Sequence, residues 1–403
     1  MGKLQLKMII TATLLLGIAV PDSPVKAAED GKTMKTHHRS MKTLETYELP
    51  DRMSRFSYNS GLTFDYPDAV RGVYVTGNSA GGERFERLIK LINNTELNSM
   101  VIDVKEDHGN VTFKMDEDSP YADIGKNFIS DPRKMLERLE KEGIYPIARI
   151  VVFKDSVLAE KRPDLSFTKN GEVWTNSKGE AFVSPYQEEV WDYNIELAKL
   201  AAEMGFQEIQ FDYVRFPEGF ENRDDELEYD QGMYKDLEMN EIKKRVKAVT
   251  DFVAHAREEL ASYDVDVSVD IFGYAATIEE TPGIGQNFSK IADNVDVISS
   301  MIYPSHWTSY FGIDKPDKEP YKLVTEYAKV ENQVLGKLED PPVSRPWIQD
   351  FEAPWLYSGA AKQYGKAEVE AQIKALNENG IDEFLIWNSG NSYTENVDYT
   401  PLD

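Results

Sequence analysis

Gln207-Glu-Ile-Gln-Phe-Asp-Tyr-Val-Arg-Phe-Pro217 is the stretch on which the reading of this chain turns. Its apolar and aromatic residues suit a pleated, half-buried surface, so it reads as a strand, and Pro217 stops it. The strand ends in a carboxylate, Asp212, with Arg215 three residues on. In a barrel of parallel strands, chemistry gathers where the strands end, so an acid placed there is a candidate catalyst. The plainer alternative is a buried Asp paired with Arg215. What separates the two is whether other segments of the same shape surround it.

They do, on both sides. Apolar β-type runs recur before it at Arg71–Thr76, Ser99–Lys105 and Ile144–Phe153, and after it at Val265–Phe272, Val295–Tyr303, Pro346–Phe351 and Asp382–Asn388. Amphipathic stretches separate them. Phe85, Leu88, Ile89 and Ile92 have helical spacing within residues 83–93. Residues 132–142 read as a helix capped by Asp131 and stopped by Gly143. Further helices are expected over 187–204, ended by Gly205, over 241–260, near 285–292, from 321 and over 366–378. Strands alternating with helices, eight times and with nothing left over, predict a single-domain (β/α)8 TIM barrel over residues 66–403. The competing arrangement is an open, doubly wound sheet.

Only side chains at the C-terminal strand ends reach the mouth of such a barrel. The second strand ends in Asp103 and Lys105, the fourth in Asp212, the fifth in Asp270. The sixth ends in Tyr303, followed by His306 and Trp307; the seventh in Gln349, Asp350 and Glu352, with Trp355 beyond; the eighth in Trp387 and Asn388. Acids, aromatics and amides therefore converge on one rim. That combination suits a sugar: aromatic faces cover the C–H faces of pyranose rings, and acids and amides take the hydroxyls. Cleaving a glycosidic bond needs two carboxyl groups, one to protonate the leaving oxygen and one to attack or stabilise the anomeric carbon or to activate water. On this reading Asp212 is nucleophile or stabiliser, steadied by Arg215. Asp270 is the preferred proton donor with Glu352 in reserve, and Asp350 orients hydroxyls. Asp103, Tyr303, His306 and Trp355 line subsites. Plainer roles stand beside these. Asp103 and Lys105 share strand parity and could form a structural ion pair, and Trp387 could serve packing alone. The acidic run 224–230 lacks the regularity of a calcium loop and reads as a solvated lid.

The rest of the chain bounds where this chemistry would act. Lys3 and Lys7, an apolar run from Met8 to Val20 and the small residues around Val25-Lys26-Ala27 read as a signal peptide over 1–27. The run is short for a bilayer span, though the segment could stay as an N-terminal anchor. Residues 28–65, with His37 and His38, show no periodicity and read as a flexible spacer. There is no cysteine, which excludes disulfides, thiolate nucleophiles and lipid-modified cysteine. An exported chain without Cys suggests a bacterial protein, secreted or at the cell surface. The formal charge is −26, which repels nucleic acid and anionic membranes.

Arg71-Gly-Val-Tyr-Val-Thr76, Val101-Ile-Asp-Val-Lys-Glu-Asp107, Phe211-Asp-Tyr-Val-Arg-Phe-Pro217, Asp270-Ile-Phe-Gly-Tyr274 and Gln349-Asp-Phe351 are the segments that carry a family resemblance. Over roughly residues 69–390 the chain resembles a bacterial glycoside hydrolase domain of unknown function, distantly related to the α-amylase superfamily. The resemblance implies a barrel and a carbohydrate substrate. In α-amylases the nucleophilic Asp ends the fourth strand, which Asp212 matches. An Arg precedes it there by two positions, where this chain has Gln210; the strand-5 acid is Glu, where this chain has Asp270; and a His-Asp pair ends strand 7, where this chain has Gln349-Asp350. The proton donor is thereby left open among Asp270, Asp350 and Glu352.

Other chemistries fit less well. Gly77-Asn-Ser-Ala-Gly81 matches the nucleophile elbow of serine esterases, with Ser79 as nucleophile. It follows the first strand, however, with no earlier strands to form the sheet. Metal-dependent hydrolysis has only His108, His255 and His306 to draw on and no His-x-His pair. Neither a metal nor any other cofactor is required by the sugar reading. The serious rival is a barrel at the cell surface that binds glycan without cutting it.

Overall fold

The computed structural model describes residues 58–402. The expected signal peptide (1–27) and the expected spacer up to residue 57 lie outside the described residues. Eight parallel strands form the centre of the molecule: β1 (Arg71–Val75), β2 (Ser99–Lys105), β3 (Tyr145–Val151), β4 (Glu208–Asp212), β5 (Asp266–Phe272), β6 (Val297–Met301), β7 (Trp347–Gln349) and β8 (Phe384–Trp387). Each pairs with the next, and β8 returns to β1 with Phe384 opposite Arg71 and Leu385 opposite Gly72. Closure of the last strand on the first makes this a (β/α)8 barrel and excludes the open sheet.

Helices α1 (Glu83–Asn93), α2 (Pro132–Glu142), α3 (Glu188–Met204), α4 (Glu241–Leu260), α5 (Phe288–Ala292), α6 (Pro320–Leu335) and α7 (Lys366–Glu378) fill the connections. Their ends follow local chemistry. The Asp131 carboxylate accepts the Lys134 N–H at the start of α2, and Gly143 leaves that helix at a φ of 69°, a conformation that costs a glycine little. The apolar face of α1, Phe85, Leu88, Ile89 and Ile92, is buried against the barrel. After β8 no helix follows among the described residues. The chain folds back over the seam instead: the Asn391 side chain donates to the Tyr74 carbonyl (2.8 Å) and accepts from the Thr76 N–H (3.0 Å), and the Tyr393 hydroxyl also donates to the Tyr74 carbonyl.

Two cores result. One lies between helices and barrel. The other fills the barrel and includes Tyr74, Val101, Tyr145, Ile147, Trp347 and Leu385. Below it, at the N-terminal mouth, Arg345 closes the floor. Its guanidinium is buried and bonds both Glu208 oxygens (2.8 and 2.7 Å), Glu383 (2.8 Å) and the Tyr66 hydroxyl (2.8 Å). Shared parity does not bring Asp103 and Lys105 together, because a β-bulge lies between them: Asp103 is opposite Arg149, but Lys105 is opposite Ile150. Asp103 keeps its place in the barrel, and the extra residue after it turns Lys105 outward, where it meets Asp155 (2.6 Å), the Val151 carbonyl (2.8 Å) and Asn194 (3.0 Å).

Short strands Val111–Phe113 and Gly125–Ile129 extend the sheet beyond β2, and Thr168–Lys169 pairs with Glu172–Val173 in a small hairpin. The acidic run 224–230 leaves Asp225, Glu226, Glu228 and Asp230 exposed to solvent, as its composition suggests, but it is also anchored to the barrel. Asp224 pairs with Arg245 (3.0 Å), Glu226 with Lys169 (2.7 Å), and the Glu228 and Thr168 backbones exchange hydrogen bonds. Leu227 inside the run is buried, beside the clustered rings of Phe167, Phe220 and Tyr229. Residues 58–65 are likewise held to the barrel: the Tyr58 N–H reaches the Ser262 carbonyl (3.0 Å), and Arg133 donates to the Ser60 carbonyl (2.7 Å). Among the described residues no helix is long and apolar enough to cross a membrane.

Candidate active site

The C-terminal mouth is organised by one side chain that the strand pattern conceals. Arg149 projects from β3 into the barrel, opposite Asp103 on β2 and Gln210 on β4. It is buried, and it holds three carboxylates. Its Nη1 donates to Asp103 Oδ1 (2.7 Å), its Nε and Nη2 to Asp212 Oδ2 (2.9 and 2.6 Å), and its Nη2 to Asp107 Oδ1 (2.9 Å). The guanidinium also lies 5.4 Å from the ring centres of Tyr74 and Trp387, which stack on each other at 4.0 Å. A buried cation survives here because charges and hydrogen bonds surround it. Arg149 stands in direct register with Gln210 on β4, so the cation at this level of the barrel comes from β3.

Asp212 is fixed through both oxygens. Oδ2 takes Arg149, and Oδ1 accepts the N–H of the next residue, Tyr213 (2.6 Å). Tyr213 sits at a φ of 53°, in the left-handed region that non-glycine residues adopt at a cost. Its hydroxyl accepts from Lys154 (3.1 Å), and Lys154 also meets Asp107 (3.3 Å) and Glu180 (3.1 Å). Burial works to raise the Asp107 carboxyl, but the Arg149 and Lys154 cations outweigh it and hold that group below its usual range. Asp103 also accepts the Tyr74 hydroxyl (2.7 Å); burial pushes its carboxyl up to about 6 against the pull of Arg149.

Asp270 is a different kind of carboxyl. It is buried, and among the described residues the one hydrogen bond to its carboxyl comes from the Trp347 indole N–H to Oδ1 (2.7 Å). Burial, and then the negative charge of Asp212, push it well above the ordinary range; the Trp347 bond and Arg149 only partly oppose this. Two neighbouring carboxylates, one of them held by an arginine, cannot both give up their protons cheaply, and the one without a cation keeps its own. The buried Tyr303 phenol lies in the field of the same pair and is raised first by burial and then by Asp270 and Asp212.

The remaining expected residues are spread along the rim. Arg215 does not steady Asp212. It pairs with Glu218 (3.1 Å), and its guanidinium lies over Tyr213 and Phe272, 4.8 and 4.6 Å from their ring centres. The backbone explains this: after the left-handed turn at Tyr213, the Arg215 side chain leaves the barrel interior. Asp350 is buried, but the Thr394 hydroxyl donates to one of its oxygens (2.6 Å) and the Thr394 N–H to the other (2.8 Å). It is therefore tied to the C-terminal segment. His306 is exposed, bonds the Ser305 hydroxyl through Nδ1 (3.1 Å) and packs edge-on to Tyr303 and Phe351. Glu352 is exposed, and Trp355 is 63% exposed. Trp387 packs on Tyr74 and edge-on to Trp347. Ser79 is buried with its hydroxyl bonded to Thr76 (3.0 Å), and no His hydrogen-bonds it among the described residues.

Three contributors escaped the sequence reading. Arg149 left a signal, a charge inside an apolar run at interior parity. Trp347 and Thr394 left none that spacing could reveal.

No curated protein matches the chain in sequence. Among solved structures, a hypothetical protein from Ruminiclostridium thermocellum ATCC 27405 is 33% identical over 49% of this chain and 96% of its own, with a TM-score of 0.42. The PgaB (BpsB) glycoside hydrolase domain from Bordetella bronchiseptica is 15% identical over 80% of this chain and 95% of its own, with a TM-score of 0.54. A β-galactosidase from the psychrophilic Marinomonas ef1 is 11% identical over 79% and 54%, with a TM-score of 0.52. At such identities the last two establish the barrel fold alone. The decisive match is to the family described as "Putative glycosyl hydrolase domain" (DUF4015), which spans residues 72–393. With most of its length covered by that match, and with a closed barrel whose mouth gathers carboxylates, this chain belongs to the DUF4015 glycosyl hydrolase family.

Proposed function

We propose that the protein is a secreted bacterial glycoside hydrolase that cuts a polysaccharide or cell-wall glycan, with Asp212 and Asp270 as its working pair. The observation that carries this is their contrast. Asp212 ends β4 as the ion-pair partner of Arg149, while Asp270, two residues from the end of the adjacent strand β5, is pushed well above the ordinary carboxyl range by burial and by the charge of Asp212. That division is what glycoside cleavage needs. Asp270 gives its proton to the glycosidic oxygen as the C–O bond breaks, and the leaving sugar departs as an alcohol. Asp212 meets the positive charge developing at the anomeric carbon, as nucleophile or as stabiliser. Water then supplies the hydroxyl of the second product, and its proton restores Asp270. Tyr303 and His306 stand at the rim beside the pair as sugar contacts, and Asp350 shapes the β7–β8 side of the mouth. The N-terminal segment 1–27 would direct export.

A second reading, glycan binding without cleavage, draws on Asp350, whose oxygens are both taken by Thr394. The test is a screen of wall and storage polysaccharides for reducing-end release. Wild type should release ends from at least one polymer, and Asp212→Asn should lose at least a thousandfold in rate on it. Full activity of Asp212→Asn would overturn the assignment. Affinity for the polymer with no release by wild type would favour the binder.

A further inference from the structure

Exposed rings are unevenly distributed around the barrel mouth. Among the described residues, Tyr274, Ile278, Tyr310 and Trp355 stand 38, 40, 38 and 63% exposed. They lie on the loops that follow β5, β6 and β7. The loops after β1, β2 and β3 present no exposed large apolar side chain, and the loop after β4 presents only Met233. Half of the mouth is thus charged, around Asp107, Lys154 and Glu180, and the other half carries rings.

The ringed half is one connected surface. The Tyr310 hydroxyl donates to Thr277 Oγ1 (3.0 Å), and Thr277 donates to the Tyr274 carbonyl (2.7 Å), joining the loops after β5 and β6. Tyr274 stacks on Phe272 at 5.8 Å, and Tyr310 packs on Trp307 at 5.3 Å. The loop after β7 is tied to the same shelf through the buried Asp317, which accepts the Lys362 N–H (2.9 Å) and, through its carbonyl, the Tyr364 hydroxyl (3.2 Å). Tyr274 and Tyr310 are each backed by another ring, Trp355 stands more fully exposed, and all three face solvent without carrying a charge.

The shelf is continuous with the working pair: Tyr274 is four residues beyond Asp270 along the same strand and turn. A proton donor stands beside the leaving oxygen, so whatever departs must lie on the Asp270 side. Resting on the glycosidase reading above, we infer that the Tyr274–Tyr310–Trp355 shelf receives the leaving-group side of the substrate, a chain of uncharged pyranose units longer than one sugar. An amphipathic ring matches such a chain, apolar over the C–H face of the sugar and polar at its edge. A contiguous exposed apolar patch beside a catalytic cleft marks a binding surface rather than ordinary surface scatter.

The experiment uses the full chain carrying Asp212→Asn, so that the probe survives, in affinity electrophoresis through gels of soluble starch, laminarin and glycol chitin, with sedimentation on peptidoglycan sacculi. The inactive protein should be retained by at least one of these. Adding Tyr310→Ala and Trp355→Ala should weaken that retention about tenfold or more, as truncating two aromatic anchors does. Adding Tyr58→Ala instead, an exposed ring that packs on Tyr263 away from the mouth, should change nothing. All three replaced rings are exposed, and a melting curve confirms that each variant folds. Unchanged retention in the Tyr310→Ala, Trp355→Ala protein overturns the shelf and leaves the glycosidase reading standing. So does release of reducing ends by wild type from a polymer that fails to retain the inactive protein. Neither retention nor release on any polymer overturns both.

Discussion

Replacing Trp347 by Phe isolates the feature that sets Asp270 apart. The indole N–H makes the one hydrogen bond to that carboxyl among the described residues, 2.7 Å to Oδ1, and a phenyl ring removes it while keeping most of the buried apolar surface. The sign follows from which form the bond favours. An N–H donor stabilises the carboxylate, so the bond holds the Asp270 pKa below what burial alone would impose. Without it the proton is held more tightly. A proton donor works in its protonated form, so the alkaline limb of kcat/KM should move to higher pH. A hydrogen bond to a charged group contributes about 1.5–3 kcal/mol. At about 1.4 kcal/mol per pH unit, the limb moves up by about one to two units. The price in packing is a smaller ring beside Trp387, about 1–3 kcal/mol of stability, visible as a lower Tm. The assay is initial rate against pH at low substrate, on whichever polymer the screen identifies. An alkaline limb that stays in place, or moves to lower pH, would refute Asp270 as the proton donor.

Arg149→Met leaves Asp103, Asp107 and Asp212 without their shared cation, and should cost about 3–5 kcal/mol in urea unfolding together with nearly all activity. Retention of wild-type stability would mean that the three carboxyls find other partners. Glu331→Gln probes a buried carboxyl outside the mouth, which accepts the Ser300 and Ser344 hydroxyls behind β6 and is raised mainly by burial. A carboxyl raised in the folded state costs nothing below its unfolded pKa, destabilises progressively as pH climbs from the unfolded to the folded value, and costs a constant amount above that. The Tm advantage of Glu331→Gln over wild type should therefore be smallest at acid pH, where the carboxyl is protonated in both states, and grow as pH rises above the ordinary carboxyl range; an advantage that shrinks with rising pH would contradict the assignment.

Much of this architecture is legible in the chain because both periodicities are clean. Helices α1, α2, α4 and α7 begin and end where the apolar spacing and the Asp131 and Gly143 signals place them. The interior positions of Asp103, Asp212 and Asp270 follow from strand parity. What escaped depends on contacts between distant segments. Parity could not foresee the bulge after Asp103, which sends Lys105 to Asp155. Proximity in sequence suggested Arg215 for Asp212, whereas the partner comes from the adjacent strand, 63 residues earlier. The acidic run 224–230 looks solvated by composition, yet Arg245 and buried rings pin it. Asp350 reads as a free rim acid until residue 394 arrives to claim it.

That late arrival bears on how the molecule is made. The seam joins Arg71 to Phe384, and the latch over it uses Asn391, Tyr393 and Thr394. During synthesis the first strand must wait, with one edge unsatisfied, until residues 384–386 have emerged, more than 300 residues later. Pairings so remote along the chain close slowly. A nascent product that stops short of residue 394 therefore lacks a finished mouth.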